Sequence, residues 1–285
     1  MDNPIVTIAG ITQPRVAGIN SPSEFIAYCA RISNPNNQTN TITMPKLLLH
    51  MAREHHWSPF EMVHVVVEIT TTRDIARQIL RHRSFSFQEF SQRYAEVVGP
   101  FSLRECRLQD TSNRQSSVET SDEELIGWWE RSQLHVINNC KTEYRAALDR
   151  GIAKEVARAI LPEGLSPSSI YMAGTLRSWM HYVWLRSHPS TQKEHRKIAI
   201  LAADIISKEF DLVPIKNFVC ADQPKDFYYD PSRGIYIRDC GSVKAVEFRK
   251  RNREAWLYNP WTGELRDLVD VGEDPYGYYI TEFGQ

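Results

Sequence analysis

RHRSFSFQEFSQRY, residues 81–94, is the stretch on which the reading of this chain turns. It gathers Arg81, His82, Arg83 and Arg93, the carboxylate Glu89 and the serines Ser84, Ser86 and Ser91 around Phe85, Phe87 and Phe90. The whole chain of 285 residues has a formal net charge of −1, so this basic cluster needs a local explanation. Guanidinium forks bind phosphates and carboxylates. Neighbouring residues on a helix point about 100° apart, so Arg81, His82 and Arg83 suit two anionic groups approaching from different sides. Hydroxyls and loop N–H groups can complete a phosphate cradle, and the phenylalanines can pack the loop or flank a planar ring. Basic residues at a helix C-terminus also complement its dipole without binding anything.

Outward from this stretch, near-neutral, mixed charge argues against a protein that coats nucleic acid or anionic lipid. No apolar run approaches the roughly 20 residues of a membrane helix, and the first residues lack a signal-peptide pattern. Cys29, Cys106, Cys140, Cys220 and Cys240 are scattered with no CxxC pair, which reads as reduced thiols in a cytoplasmic protein. No Gly-rich dinucleotide fingerprint occurs, so no Rossmann domain is expected.

Local patterns predict a strand at residues 5–9, then a helix capped by Ser23 with Phe25, Ile26, Cys29 and Ile32 on one face. A helix with Pro45 in its first turn follows. Val63, Val65, Val67 and Ile69 alternate as in a strand with one buried face. Asp74 precedes a helix whose spacing holds Ile75, Ile79 and His82, so the quoted stretch begins at a helix C-terminus and runs into a loop. Residues 100–121 are polar and aperiodic. Helices are expected over 123–150, 152–160, 169–187 and 192–210, with a break at Pro162, Gly164 and Pro167. Beyond about residue 217, FYYDPSRGIYIRD and LYNPWTGELRD read as short strands joined by turns. The fold expected is α+β, with residues 1–216 as the core and 217–285 as a β-rich C-terminal appendage.

The order RHRxxSxxExSxRY resembles the signature of the flavin-dependent thymidylate synthases, with Gln88 where that motif usually carries Asn. ARIS (30–33), HHWSPFE (55–61), IARQILRHR (75–83), KEVARAILP (154–162) and LRSWMHYVWLR (176–186) resemble successive blocks of the same family in the same order. Thr175 and Ser190 depart from the residues that the family commonly carries. The resemblance implies helices around a small, mainly antiparallel sheet, and a homotetramer whose sites draw on several subunits. It implies reductive methylation of dUMP to dTMP, with FAD as cofactor and NADPH and methylenetetrahydrofolate as co-substrates, and neither nucleic acid nor membrane as partner.

Residue by residue, the resemblance puts dUMP on Gln78, Arg81, Glu89, Phe90, Ser91, Gln92, Arg93, Arg158 and Arg186, with Arg158 reaching a neighbouring subunit's nucleotide. It puts FAD on Ser58, Glu61, Arg81, His82, Arg83, Glu89, Thr175, Arg177 and His181, and His56 near flavin and folate. It names no metal ligand. Arg186 is the catalytic candidate: a fixed charge on the pyrimidine favours an electron-rich ring, and arginine is a poor proton acceptor. Arg177, His181 and Arg186 trend along one side of a helix, where a salt-bridged surface stripe is the plainer reading. No cysteine falls within a matched site block, in accord with a mechanism lacking a thiolate nucleophile. Two alternatives stay open: a non-catalytic nucleotide- or nucleic-acid-binding module, or a different flavoprotein on the same scaffold.

Overall fold

Val63, Val65, Val67 and Ile69 are fully buried, and their alternation fixes the inner face of the sheet. The computed structural model describes residues 4–210 and 212–219, and four short strands further on. In chain order it runs β1 (Ile5–Ile11), α1 (Pro22–Ala30), α2 (Met44–Arg53), β2 (His64–Thr72), α3 (Arg73–Ile79), β3 (Ser86–Glu89), β4 (Arg107–Gln109), β5 (Ser117–Glu119), α4 (Glu123–Asp149), α5 (Lys154–Ala157), β6 (Pro167–Thr175), α6 (Leu176–Ser187) and α7 (Lys193–Glu209). Short 3-10 turns stand at Pro35–Asn37, Ser58–Met62, Arg158–Ile160 and Ile215–Phe218.

The central sheet is antiparallel in the order β1-β2-β6-β3. Its inner face, with Ile170 and Met172 of β6, packs against Ile75 and Ile79 of α3, Trp179 and Val183 of α6, and Ile198, Ala202 and Ile206 of α7. Full burial of one such side chain contributes about 1.5–3 kcal/mol, so this face is a large part of what holds the fold together. The α+β expectation holds. The later strands β7 (Phe227–Asp230), β8 (Ile235–Arg238), β9 (Trp256–Asn259) and β10 (Glu264–Asp267) form a second antiparallel sheet in the order β10-β9-β8-β7. The turns expected between them lie outside the described residues.

Several local expectations are corrected. The cap of α1 is Ser21, which accepts from the Glu24 N–H at 3.2 Å, while Ser23 is buried inside the helix. Proline at the next position leaves Ser21 as the last residue free to take extended geometry. Ile32 lies past the helix and is 72% exposed. Residues 169–187 are not one helix. Ser168, Ile170, Met172 and Gly174 point inward along β6, and α6 starts only after Thr175, whose side chain caps it by accepting from the Ser178 N–H. The strand's period of two was masked by the strong helical pattern that follows it.

Helix α3 ends at Ile79, before His82, and the expected loop after it includes strand β3, with Ser86 opposite Ala173 and Glu89 opposite Ile170. Residues 100–121 contain the small β4–β5 hairpin, too short to show periodicity. Asp74 lies inside the first turn of α3 and pairs with Arg104 at 2.7 Å.

Gly174 explains how the quoted stretch is fastened to the sheet. A Cβ there would lie 2.4 Å from the Phe85 ring, so only glycine admits that ring. Phe85 also meets Trp179 edge-on at 4.9 Å. Gly174→Ala is therefore expected to lower stability by about 1–3 kcal/mol through overpacking, read as a lower urea midpoint. The loss in Gly174→Ala/Phe85→Ala should be smaller than the sum of the single losses. An unchanged midpoint in Gly174→Ala would remove Phe85 as the anchor.

Candidate functional site

Three groups of candidate residues emerge along the path from α3 to β3 and across to α6. The first centres on Arg186, in the last turn of α6. Its Nε–H donates to His82 Nε2 at 2.8 Å, which places the His82 proton on Nδ1. His82 turns inward, edge-on to Tyr182 at 4.9 Å and to Phe85 at 6.4 Å. Burial, then the Arg186 charge, pushes its imidazole down to about 4, so it is neutral. Arg81 and Arg83 on either side are exposed, and neither guanidinium has a partner among the described residues. One-residue steps thus separate an inward imidazole from two outward cations.

Gln78 joins this group. Its Nε2 donates to Gln192 Oε1 at 2.7 Å, and its Oε1 meets His195 Nδ1 at 3.3 Å. His195 Nε2 lies 3.2 Å from the Tyr182 hydroxyl. His195 is fully buried, and burial, then the charges of Arg186 and His82, pushes it down to about 3. Burial raises the Tyr182 phenol well above its usual value. Sequence reading missed both residues. Tyr182 lies four residues before Arg186, on the same helical face, and His195 begins the apolar stripe continued by Ile198, Ala199 and Ala202.

The second group surrounds Trp57. Arg177 forms an ion pair with Glu61, and His181 meets Trp57 edge-on at 5.1 Å. Partial desolvation, then the charges of Arg177 and His55, lowers the His181 pKa. His55 has φ 59°, a left-handed conformation uncommon outside glycine, and stacks on Trp57 at 5.3 Å. His56 and Ser58 line a cavity of about 610 Å³ with Ala30, Leu47 and Trp57. Thr175, at the head of α6, is occupied in capping, and Ser178 Oγ reaches the Ser84 carbonyl at 3.2 Å. The one helical side expected for Arg177, His181 and Arg186 is thus divided between the first and second groups.

The third group follows β3. Glu89 Oε1 accepts from Ser168 Oγ at 2.9 Å, and the Phe90 N–H donates to the Ser169 carbonyl at 2.8 Å. The Ser91 carbonyl closes a turn by accepting from the N–H groups of Tyr94 and Ala95. Arg93 pairs with Glu155 at 3.2 Å, and Arg158 Nε donates to the Glu155 carbonyl at 3.3 Å. Gln92 is buried, and its Nε2 has no partner among the described residues. In a separate cavity of about 460 Å³, the lining residues Arg104, Glu105, Lys193 and Glu194 are paired with one another or with neighbours. Among the described residues no cluster of His, Cys, Asp or Glu could hold a metal ion, and no helix is long and apolar enough to cross a membrane.

The two neutral imidazoles make a prediction. Both depart downward from 6.5, to about 4 for His82 and about 3 for His195. Between those values and 6.5 the unfolded chain binds more protons, so stability is whole above 6.5 and falls as pH drops. The upper part of that window, from about pH 6.5 to about 5, lies above ordinary carboxylate titration. The melting temperature is expected to decline there, less steeply in His82→Gln. A level wild-type profile over that range would exclude the neutral buried pair.

Several known proteins resemble this chain in sequence or in fold. Residues 16–211 match the family described as thymidylate synthase complementing protein. A probable flavin-dependent thymidylate synthase of Paramecium bursaria Chlorella virus 1 is 46% identical over 203 residues, covering 71% of this chain and 94% of that relative. A flavin-dependent thymidylate synthase of Synechocystis sp. is 50% identical over 193 residues, covering 68% of this chain and 88% of the relative. A solved UMP/dUMP methylase from Streptomyces cacaoi, bound with 5-Br UMP, matches with a TM-score of 0.65 at 24% identity, over 77% of this chain and 96% of that one. That last likeness speaks for the fold alone. A family match across more than half the chain, joined to relatives of this identity and coverage, places the chain in the family of flavin-dependent thymidylate synthases.

Proposed function

We propose that this chain converts dUMP to dTMP by reductive methylation, with methylenetetrahydrofolate as carbon donor and NADPH as reductant through FAD. The observation that carries the reading, in a chain of this family, is Arg186 held by a neutral partner. A carboxylate in the place of His82 would cancel much of the guanidinium charge. The imidazole fixes the plane of the fork through Nε and leaves the charge and the four Nη–H donors for a ligand. A fixed cation beside a pyrimidine stabilises negative charge developing on the ring.

The donor set suits FAD. Arg81 and Arg83 offer unpaired forks to a pyrophosphate, and Trp57 with His181 offers aromatic surface beside the Arg177–Glu61 pair. FAD supplies the redox chemistry when bound. The chain's own residues position and charge the site: Ser58, Glu61, Arg177 and His181 on the flavin side, with Thr175 ordering the head of α6, and His56 towards flavin and folate. Gln78, Glu89, Phe90, Ser91, Gln92, Arg93 and Arg158 stand on the nucleotide side. The buried, unpartnered Gln92 amide supports a polar ligand there.

Among the described residues a thiolate nucleophile finds no support. Cys29, Cys106 and Cys140 lie outside all three groups, and burial pushes the Cys29 thiol up rather than down.

We place the protein in the cytoplasm and read it as a homotetramer. Exposed apolar side chains on α4, Trp128 at 55% and Val136 at 43%, support further burial between copies. We read the residues after the core as a β-rich accessory unit. Phe218 and Val219 are buried in the core, with Phe218 against Trp57 at 6.0 Å, which supports a border a few residues beyond 216. Truncation after residue 219 should leave a protein that binds FAD, read by its visible absorption. A soluble truncated protein without FAD would assign the tail to the site.

The reaction is tested by anaerobic assay of FAD-loaded protein with dUMP, methylenetetrahydrofolate and NADPH. Formation of dTMP is expected, and bound FAD without dTMP would reject the reading. Arg186→Lys keeps charge but loses the planar fork. A lost charged hydrogen bond costs roughly 1.5–3 kcal/mol, so single-turnover dTMP formation should fall about 10- to 150-fold, with more lost in Arg186→Ala. Wild-type rates in Arg186→Ala would return this residue to a surface role.

A further inference from the structure

Gln78 stands in a hydrogen-bond chain whose direction is set at one end. That end is Glu194, whose carboxylate can only accept. Burial pushes its carboxyl up, but its own backbone N–H, Arg104, Arg107 and Gln192 outweigh this and keep it below its usual value. Glu194 Oε1 accepts from Arg107 Nη2 at 2.8 Å, and Oε2 accepts from Gln192 Nε2 at 3.0 Å. Gln192 therefore turns its Oε1 to Gln78 and accepts from Gln78 Nε2 at 2.7 Å. Gln78 is left with Oε1 facing His195 Nδ1, which must carry a proton. His195 Nε2 then accepts from the Tyr182 hydroxyl.

The reverse direction is costly. Turning the Gln78 amide over would set two carbonyl oxygens against each other at Gln192, and turning Gln192 as well would set its oxygen against the Glu194 carboxylate. Gln192 is exposed, so water softens a mismatch there, but His195 is fully buried, and a reversed Gln78 would require the other imidazole tautomer and a Tyr182 hydroxyl that no longer donates to it.

We propose that Glu194 and His195 lock the amide polarity of Gln78, and that this lock selects uracil over cytosine at the nucleotide site. The proposal rests on Gln78 as a nucleotide contact, as read under the proposed function. After its two internal bonds, Gln78 keeps one N–H and one lone pair of its oxygen in fixed places. Uracil presents a carbonyl at C4 and N–H at N3, and cytosine presents an amino group and a bare nitrogen. A free amide can turn about its last bond to suit either base, whereas a locked amide suits one. Glu194 and His195 act through Gln78 and are positioning residues.

The test is calorimetric titration of dUMP and dCMP into the FAD-loaded full chain and its variants. Wild type should prefer dUMP by at least about 100-fold, since a site with directed hydrogen bonds rejects a mismatched edge strongly. Glu194→Gln keeps the size but lets the chain reverse, and His195→Phe removes both of its bonds while filling the space. In either variant the preference should shrink roughly 10-fold or more, with tighter dCMP binding in Glu194→Gln. A merely structural role would weaken both nucleotides alike.

Gln78→Met separates the two ideas. If it weakens dUMP binding while Glu194→Gln leaves the preference intact, the lock is wrong and the nucleotide reading of Gln78 stands. If it leaves dUMP binding untouched, Gln78 is no nucleotide contact and both fail. Wild-type protein that binds dCMP within about tenfold of dUMP would overturn the lock whatever the variants do.

Discussion

Phe85 seated on Gly174 is the contact on which the site depends. The segment after α3 leaves the helix with two exposed arginines and must return to the sheet as β3. Only the missing side chain at position 174 lets an aromatic ring lie against β6 there. With that ring against Trp179 and Tyr182, the register of β3 follows and Glu89 is brought to Ser168. His82, three residues earlier, is held where Arg186 of α6 can reach it. One packing contact thus couples strand pairing to the orientation of a guanidinium.

The site's arginines differ in how firmly they are held, and magnitude decides what that means. Arg177 with Glu61 and Arg93 with Glu155 are substantially exposed pairs. Such pairs contribute roughly 0–1 kcal/mol, so an arriving phosphate can replace the carboxylate at small cost. Arg186 is different. Its partner is an uncharged imidazole in a half-buried setting, and exchanging that partner would strand His82 without an acceptor role. The fold therefore keeps two arginine pairs easily exchanged and one guanidinium pre-oriented.

Preorganisation of this kind is stabilised elsewhere. Two neutral imidazoles and a phenol buried at one place cost desolvation, and the hydrogen bonds through Gln78 and Gln192 to Glu194 compensate. The apolar face of the sheet against α3, α6 and α7 supplies the rigid support.

The sequence by itself determined the inner face of β2 and the presence of most helices, because these rest on local periodicity, and motif order pointed to the family. RHRSFSFQEFSQRY and its companion blocks offer Arg81, Arg83 and Arg186 as candidates through motif order alone. The strand β6 was hidden because its alternation runs straight into α6, and the cap of α1 went to the wrong serine because two stand one residue apart from the proline between them. Which way His82 points, that Arg186 leans on it, and that Gln78 is held between His195 and Gln192 were decided only by tertiary structure. The contacts between His82 and Arg186 and between Gln78 and His195 join residues more than a hundred positions apart. Local patterns carry no information about such distances; packing α6 and α7 over α3 on one sheet face is what brings the partners within hydrogen-bond reach.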